Sequence, residues 1–207
     1  MSNRVLRRGV CLVVAAPSGA GKSSITRALL ASDRELELSV SATTRTPRPG
    51  ERDGIHYHFR TPEQFAVMVA QGAMLEWATV FGNSYGTPRA PVEAALHAGR
   101  DIVFDIDWQG HRQLREALPE DVVSVFILPP SMRALEERLR ARRADPDGEI
   151  ARRMQAARDE ISHWTEFDHV VINTALEEAV GAVRSVLHAA RSERARQPGL
   201  AAFVAGL

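Results

Sequence analysis

The chain has 207 residues, 44% of them hydrophobic and 25% charged, the balance of a globular protein with room for one large or two small domains and a sizeable core. Its formal net charge is +0, so no global field draws it to nucleic acid or to a membrane surface. The single cysteine, Cys11, excludes an internal disulfide and a Cys-rich zinc site, and reads as a small buried strand residue. Arg4, Arg7 and Arg8 ahead of an apolar run faintly imitate a secretory signal. That run carries the main motif of the chain, however, and no stretch has the length to span a bilayer, so a cytoplasmic protein is expected.

The apolar, β-prone residues 10–15 break into a loop of small residues, Ala16, Pro17, Ser18, Gly19, Ala20 and Gly21, and a helical pattern opens at Lys22, Ser23 and Ser24. Strand, glycine-rich loop and helix in that order are the layout of a phosphate-binding P-loop, in which backbone N–H groups and the helix N-terminus cradle a phosphate chain. Lys22 would reach the outer phosphates and the Ser23 hydroxyl would ligate Mg²⁺. Lys22 is the only lysine among 26 basic residues, a compact ammonium kept where a planar guanidinium suits the pocket less well. The P-loop pattern asks for glycine at position 16, and this chain has alanine. If the backbone there needs a positive φ, alanine is strained.

Beyond Lys22, residues Ile25, Leu29 and Leu30 share a helical face that ends near 32–33, and residues 36–40 alternate as a half-buried strand would. Residues 41–51 form a polar loop stiffened by Pro47 and Pro49, with Arg45 and Arg48 three apart; it reads as a solvated turn or as a second phosphate site. Residues 55–59 alternate as a strand. Thr61, Pro62 and Gln64 make a capped helix start, Phe65, Met68 and Val69 its apolar face, and Gly72 its end. Residues 73–80 have strand character and set Glu76 among apolar neighbours, where a carboxylate points outward or needs a donor. Residues 81–88 read as a turn-rich connection, with Thr87 capping a helix over 88–98 that Gly99 ends.

The run 101–107 reads as a buried strand closing on Asp105 and Asp107. An aspartate at the carboxyl end of such a strand is where a water ligand of Mg²⁺ is expected, and Asp105 is the candidate; the other reading of the pair is capping the next helix. A helix over 111–117 and a strand over 122–128 follow. Ser131 caps a helix with Met132, Leu135 and Leu139 inward and Arg138, Arg140, Arg142 and Arg143 crowding its end. Residues 144–148 break it, and a second helix carries Arg152 and Arg153, a basic hairpin suited to a lid over phosphates. A last strand covers 169–173, and Leu176, Val180, Val183 and Leu187 repeat at helical spacing. Residues 191–207 fit a frayed end, a short packed helix or a contact surface equally well. Strands alternating with helices give a parallel α/β sheet with ligands at its carboxyl edge.

Between about residues 9 and 187 the chain closely resembles the guanylate kinases. The resemblance rests on linked stretches in order: Pro17-Ser18-Gly19-Ala20-Gly21-Lys22-Ser23, residues 41–50, Leu75-Glu76-Trp77-Ala78, Gly82-Asn83-Ser84-Tyr85-Gly86-Thr87, Phe104-Asp105-Ile106-Asp107-Trp108-Gln109-Gly110 and Phe126-Ile127-Leu128-Pro129-Pro130-Ser131. It implies ATP-dependent phosphorylation of GMP and dGMP in purine metabolism, with Mg²⁺ as cofactor, ATP and GMP as partners, and no nucleic acid or membrane; a homo-oligomer stays open. The implied fold is a P-loop nucleoside monophosphate kinase core over 1–40, 101–137 and 158–190, a GMP-binding region over 41–100, a helical lid over 138–157 and a tail over 191–207.

By position, the resemblance gives Arg45, Arg48, Tyr57 and Tyr85 to the GMP phosphate, and Ser41, Glu76 and Thr87 to guanine, with Asp107 beside them. It gives loop residues 16–24 and Asn173 to ATP, Ser23 and Asp105 to Mg²⁺ (the latter through water), and Lys22, Arg45, Arg142 and Arg153 to catalysis. Departures are Ala16, Ser84 where many relatives have a second tyrosine, and Pro146 and Gly148 in the lid. Two rival readings are a P-loop kinase for another phosphorylated acceptor and a non-catalytic guanylate-kinase-like binding module; the intact Lys22, Ser23 and Asp105 weigh against the second.

Overall fold

The computed structural model describes residues 6–80, 82–141 and 147–207. In chain order the strands are β1 (Cys11–Ala15), β2 (Leu36–Leu38), β3 (Ala42–Thr43), β4 (His58–Phe59), β5 (Met74–Val80), β6 (Asn83–Pro88), β7 (Asp101–Phe104), β8 (Val122–Leu128) and β9 (His169–Ile172). The helices are α1 (Lys22–Ser32), α2 (Pro62–Ala70), α3 (Arg89–His97), α4 (Trp108–Ala117), α5 (Met132–Ala141), α6 (Asp147–Ile161), α7 (Leu176–Ser192) and α8 (Leu200–Ala205).

The continuous apolar run in β1 is explained by its place: it lies at the centre of a five-stranded parallel sheet, order β2-β7-β1-β8-β9, with all five of its residues buried. A central parallel strand is covered on both faces, so it has no polar side to alternate with. On one face Ile25 and Leu29 of α1 pack with Val180, Val183 and Leu187 of α7; on the other, Val92 and Leu96 of α3 pack with Leu114 of α4. A second sheet, order β4-β3-β6-β5, is mixed and encloses its own small core of Ala42, Phe65 and Met74. Among the described residues no helix is long and apolar enough to cross a membrane.

Several expectations hold in detail. The capping box at Thr61 and Gln64 is complete, Ser131 caps α5 through the Ala134 N–H (3.1 Å), and Gly72 and Gly99 sit past their helices at positive φ. Others need correction. The strand at 36–40 is only Leu36–Leu38, and Leu38 is exposed because β2 is a sheet edge. Of 55–59 only His58–Phe59 forms a strand, with Tyr57 in an isolated bridge to Asp53, since Gly54 turns the chain and Asp53 takes the Phe59 N–H (2.8 Å). Residues 83–88, expected as a connection, are the strand β6, paired on both sides by β3 and β5. Accordingly Thr87 does not cap α3, which has no side-chain cap; its hydroxyl is directed across the sheet. The strand expected to run through 107 stops at Phe104, and Asp107 caps α4 by accepting the Gly110 N–H (2.9 Å). Asp147 and Gly148, expected in a helix break, are the first two residues of α6; residues 144–146 of that break, and Arg142 and Arg143 before it, lie outside the described residues.

The stretch 191–207 is tied to the start of β1. Asp101, fully buried, accepts from both Arg7 guanidinium ends (2.7 and 2.8 Å), from Arg191 Nε (2.7 Å) and from the Val10 N–H (2.8 Å). Arg191 also pairs with Asp33 (2.7 Å), and the buried Arg196 donates to the Asp121 carbonyl (3.2 Å) while Arg8 grips the Asp121 carboxylate at 2.6 Å. Removing one partner of a buried pair strands the others. Asp101→Ala should therefore lose about 3–5 kcal/mol of stability, read as a lower urea midpoint at unchanged slope.

His111 is buried against Phe167, ring centroids 4.2 Å apart, and accepts from Arg115 Nε (3.2 Å). Burial first, and the Arg115 charge second, push its pKa down from 6.5 to about 4, against the opposing pull of Asp168 and Glu166. The unfolded chain thus takes up this proton before the folded one does, so stability is full above pH 6.5 and declines as the pH falls from 6.5 through about 4. Urea midpoints measured between pH 7 and 5 should fall with pH, and His111→Phe should flatten that slope.

Candidate active site

Three parallel strands deliver the main chemical groups at their carboxyl ends: β1 leads into loop residues 16–21, β7 into Asp105, and β9 into Asn173. The loop turns where glycine permits it, at Gly19 (φ 93°) and Gly21 (φ 104°). Ala16 packs its methyl group between two apolar clusters, one under the sheet and one formed with α5 and α6. The N-terminus of α1 has no side-chain cap and no acidic residue in its first turn, so its dipole faces the loop without a built-in anion. Asn173 is buried and its side-chain amide donates to the Ala20 carbonyl (2.7 Å), while its backbone carbonyl accepts from Arg138 (3.0 Å). A methyl at position 21 would come within 2.3 Å of the Asn173 amide nitrogen, a second reason for glycine there.

A cleft of about 330 Å³ is lined by the loop with Lys22, Ser23 and Asp105. The Lys22 ammonium lies 2.5 Å from Asp105 and 3.5 Å from the Ile106 carbonyl. Glu160 of α6 also lines it, unanticipated by any sequence pattern; one of its carboxylate oxygens is buried without a hydrogen-bond partner, and burial pushes its pKa up. On the other side of Gly19 and Gly21, a second cleft of about 340 Å³ is lined by Ser24, Arg138, Asn173 and Leu176.

The second sheet gathers the remaining candidates. Glu76 of β5 and Thr87 of β6 are cross-strand partners, and the Thr87 hydroxyl donates to the Glu76 carboxylate at 2.6 Å. Glu76 is only 7% exposed; burial drives its pKa up, the Thr87 bond opposes this, and Asp107 adds to the rise. The β3–β6 register places Ser41 one step beyond Ala42, beside Thr87. Arg45 is held by the Glu51 carboxylate through two contacts (2.9 and 3.0 Å) and lies over the Tyr57 ring (5.4 Å), which meets the Tyr85 ring edge-on. The Arg48 N–H donates to the same Glu51 (2.7 Å), and Arg45 in turn keeps the Glu51 carboxyl below its ordinary range. Glu51 stands three residues after Arg48, a spacing that could have revealed it.

Of the basic residues expected at the lid, Arg142 lies outside the described residues. Arg153 on α6 pairs with Glu149 (3.3 Å), as does Arg152 (2.7 Å), and the two arginines, Arg152 foremost, lower the Glu149 pKa to about 2. The structure thus brings together the loop, Lys22, Ser23 and Asp105 in one place and Glu76, Thr87, Arg45, Tyr57 and Tyr85 in another, with Arg153 on α6.

The family model described as guanylate kinase matches residues 8–190. The chain belongs to the guanylate kinase family. It is 64% identical over 199 residues to the guanylate kinase of Gluconobacter oxydans, covering 96% of each chain, and 62% identical to that of Granulibacter bethesdensis, covering 97% of this chain and 94% of the relative. The solved guanylate kinase of Anaplasma phagocytophilum superposes with a TM-score of 0.75 at 35% identity, over 97% of this chain and 96% of that one. The matched span includes both groups of candidate residues.

The Thr87 hydroxyl donates to Glu76, and a hydrogen bond to a charged group is worth about 1.5–3 kcal/mol. Thr87→Val, close in shape, should lower stability by about that amount and raise the pKa of Glu76 further, measured by urea unfolding at pH 7 and by carboxylate NMR titration.

Proposed function

We propose that the chain transfers the terminal phosphoryl group of ATP to GMP, giving ADP and GDP, with dGMP as a second acceptor. The observation that carries the acceptor is Glu76, a buried carboxylate bound by Thr87 through its hydroxyl and its backbone. Guanine offers N–H donors at N1 and N2 that a carboxylate accepts, whereas adenine presents an acceptor at N1 and would leave the buried charge unpaired. Ser41, Thr87 and Asp107 complete the guanine side in this reading. Arg45 and Arg48, with Tyr57 and Tyr85, hold the GMP phosphate, the arginine fork exchanging Glu51 for a phosphate dianion.

On the donor side, residues 16–24 take the phosphates of ATP, and Lys22 turns from Asp105 to the outer ones. Asn173 shapes the loop from the adenine side. The residues present fit Mg²⁺: Ser23 and Asp105 bring oxygen to one cleft, and this ion takes one or two protein oxygens beside substrate phosphates. Among the described residues no group of three or more His, Cys, Asp or Glu forms a protein cage for a metal. When bound, Mg²⁺ would offset charge on the phosphate chain.

Catalysis is then positioning plus charge stabilisation, with Lys22, Arg45, Arg142 and Arg153 around the transferring group and no proton-abstracting residue required. Residues 138–157 act as a lid that excludes water, and 41–100 as the GMP-binding region. The same reading puts the enzyme in the cytoplasm with its nucleotide substrates.

ADP formation from Mg-ATP, followed with GMP, dGMP, AMP, CMP and UMP in turn, tests the reading. Turnover with the two guanine nucleotides is expected, and turnover with AMP but not GMP would sink it. Glu76→Gln should raise the KM for GMP on the order of 10- to 100-fold, the size of a lost charged hydrogen bond, and leave that for ATP within twofold or so; an equal change in both would move Glu76 out of the acceptor site.

A further inference from the structure

The strand that carries Glu76 is the edge of its sheet, in the order β4-β3-β6-β5. An edge strand turns every second residue's N–H and C=O away from its neighbour, and on β5 that residue next to Glu76 is Trp77. Its two backbone groups are met by one side chain of the core: the Trp77 N–H donates to Gln113 Oε1 (3.0 Å) and Gln113 Nε2 donates to the Trp77 carbonyl (3.1 Å). A single amide thus does what a paired strand would do, and it comes from α4.

The same face of α4 carries Asp107, Gly110 and Gln113 at three-residue spacing. At Gly110 a methyl group would lie 3.2 Å from Glu76 Oε2, so the helix runs directly beside the carboxylate. At its N-terminal end α4 follows β7 and Asp105, which is 2.5 Å from Lys22. Leu75 of β5 and Leu114 of α4 belong to one buried cluster under the main sheet. Apolar packing holds the two elements together but leaves sliding along the strand cheap; a two-point hydrogen bond to one residue fixes the register.

We infer that Gln113 is a positioning residue that holds the acceptor-binding sheet in register with the phosphate loop. The inference rests on the phosphoryl transfer proposed above. Glu76, Thr87, Arg45, Tyr57 and Tyr85 all sit on the second sheet or its loops, with Asp107 of the guanine side on the cap of α4, so loosening the clasp keeps those five together and shifts them relative to the donor site. The effect falls on in-line alignment, and a misplacement near 1 Å costs on the order of 100-fold in rate.

Gln113→Ala should lower kcat on the order of 10- to 100-fold while the Kd for GMP, measured by calorimetry, and the KM for ATP stay within about twofold of the wild type. Gln113→Glu keeps the acceptor for the Trp77 N–H but sets a carboxylate against the Trp77 carbonyl; it retains the length and packing of the side chain, and it should lose kcat in the same way. Unchanged kcat in both variants overturns the inference, and so does a parallel loss of GMP affinity, ATP affinity and urea midpoint, the pattern of a merely structural bond. If Gln113→Ala does not fold, the glutamate variant decides alone. A wild-type protein that forms no ADP from ATP and GMP refutes the proposed reaction itself; an active wild type with unaffected variants refutes only the role of Gln113.

Discussion

The shape of the loop between β1 and α1 is the constraint on which the rest of the site depends. A phosphate cradle needs backbone N–H groups turned inward, and an unsupported chain of small residues would not hold that shape against its own conformational entropy. Here the loop is braced from three directions. Asn173 donates to the Ala20 carbonyl from the end of β9. Ala20 itself is buried among Leu135, Leu139 and Met154 of α5 and α6. Ala16 fills the gap between that cluster and the main core, so a β-carbon at a position where the pattern asks for glycine serves as packing. The loop is therefore a continuation of the core, and α5 and α6 are fastened to it directly.

Charge in the site is arranged on a similar plan. The cations expected to meet phosphate are held by carboxylates: Lys22 by Asp105, Arg45 by Glu51, and Arg153 by Glu149. Such pairing keeps long side chains oriented before substrate arrives, which lowers the entropy lost on binding. It also makes binding an exchange of partners, in which a phosphate with more charge and more acceptor oxygens replaces a single carboxylate. Glu76 is treated differently. It is buried against Thr87, which donates to it, and under the influence of Asp107, so burial raises its pKa where arginines lower those of Glu51 and Glu149.

Much of this was legible along the chain. Loop, Lys22, Ser23, the Thr61 capping box, the Ser131 cap and the apolar faces of α1, α5 and α7 are local patterns, set by residues within a few positions of one another. The errors fell where a distant partner overrode local composition. Residues 83–88 contain Asn, Ser and Gly, the composition of a turn, yet two neighbouring strands make them β6. Gly86 there answers a close approach: a methyl on it would meet Trp77 across the strand pair. The run through 107 has the composition of a strand, but its pairing with β1 stops at Val13 and Phe104, and Asp107 is taken by the N-terminus of α4.

Sequence by itself determined that a phosphate-binding loop opens the chain, that strands and helices alternate behind it, and which residue types stand ready for two nucleotides. Those are properties of spacing and periodicity, carried by neighbours in the chain. Tertiary structure alone decided that Thr87 serves Glu76 and not a helix end, that Glu51 holds Arg45, that Glu160 faces the loop, and that Gln113 reaches Trp77 across 36 positions. It also decided that residues 191–207 close on the start of β1 through Arg191 and Arg196. A hydrogen bond or ion pair between distant residues depends on where the packed sheets and helices place them, and no local pattern in the chain encodes that position.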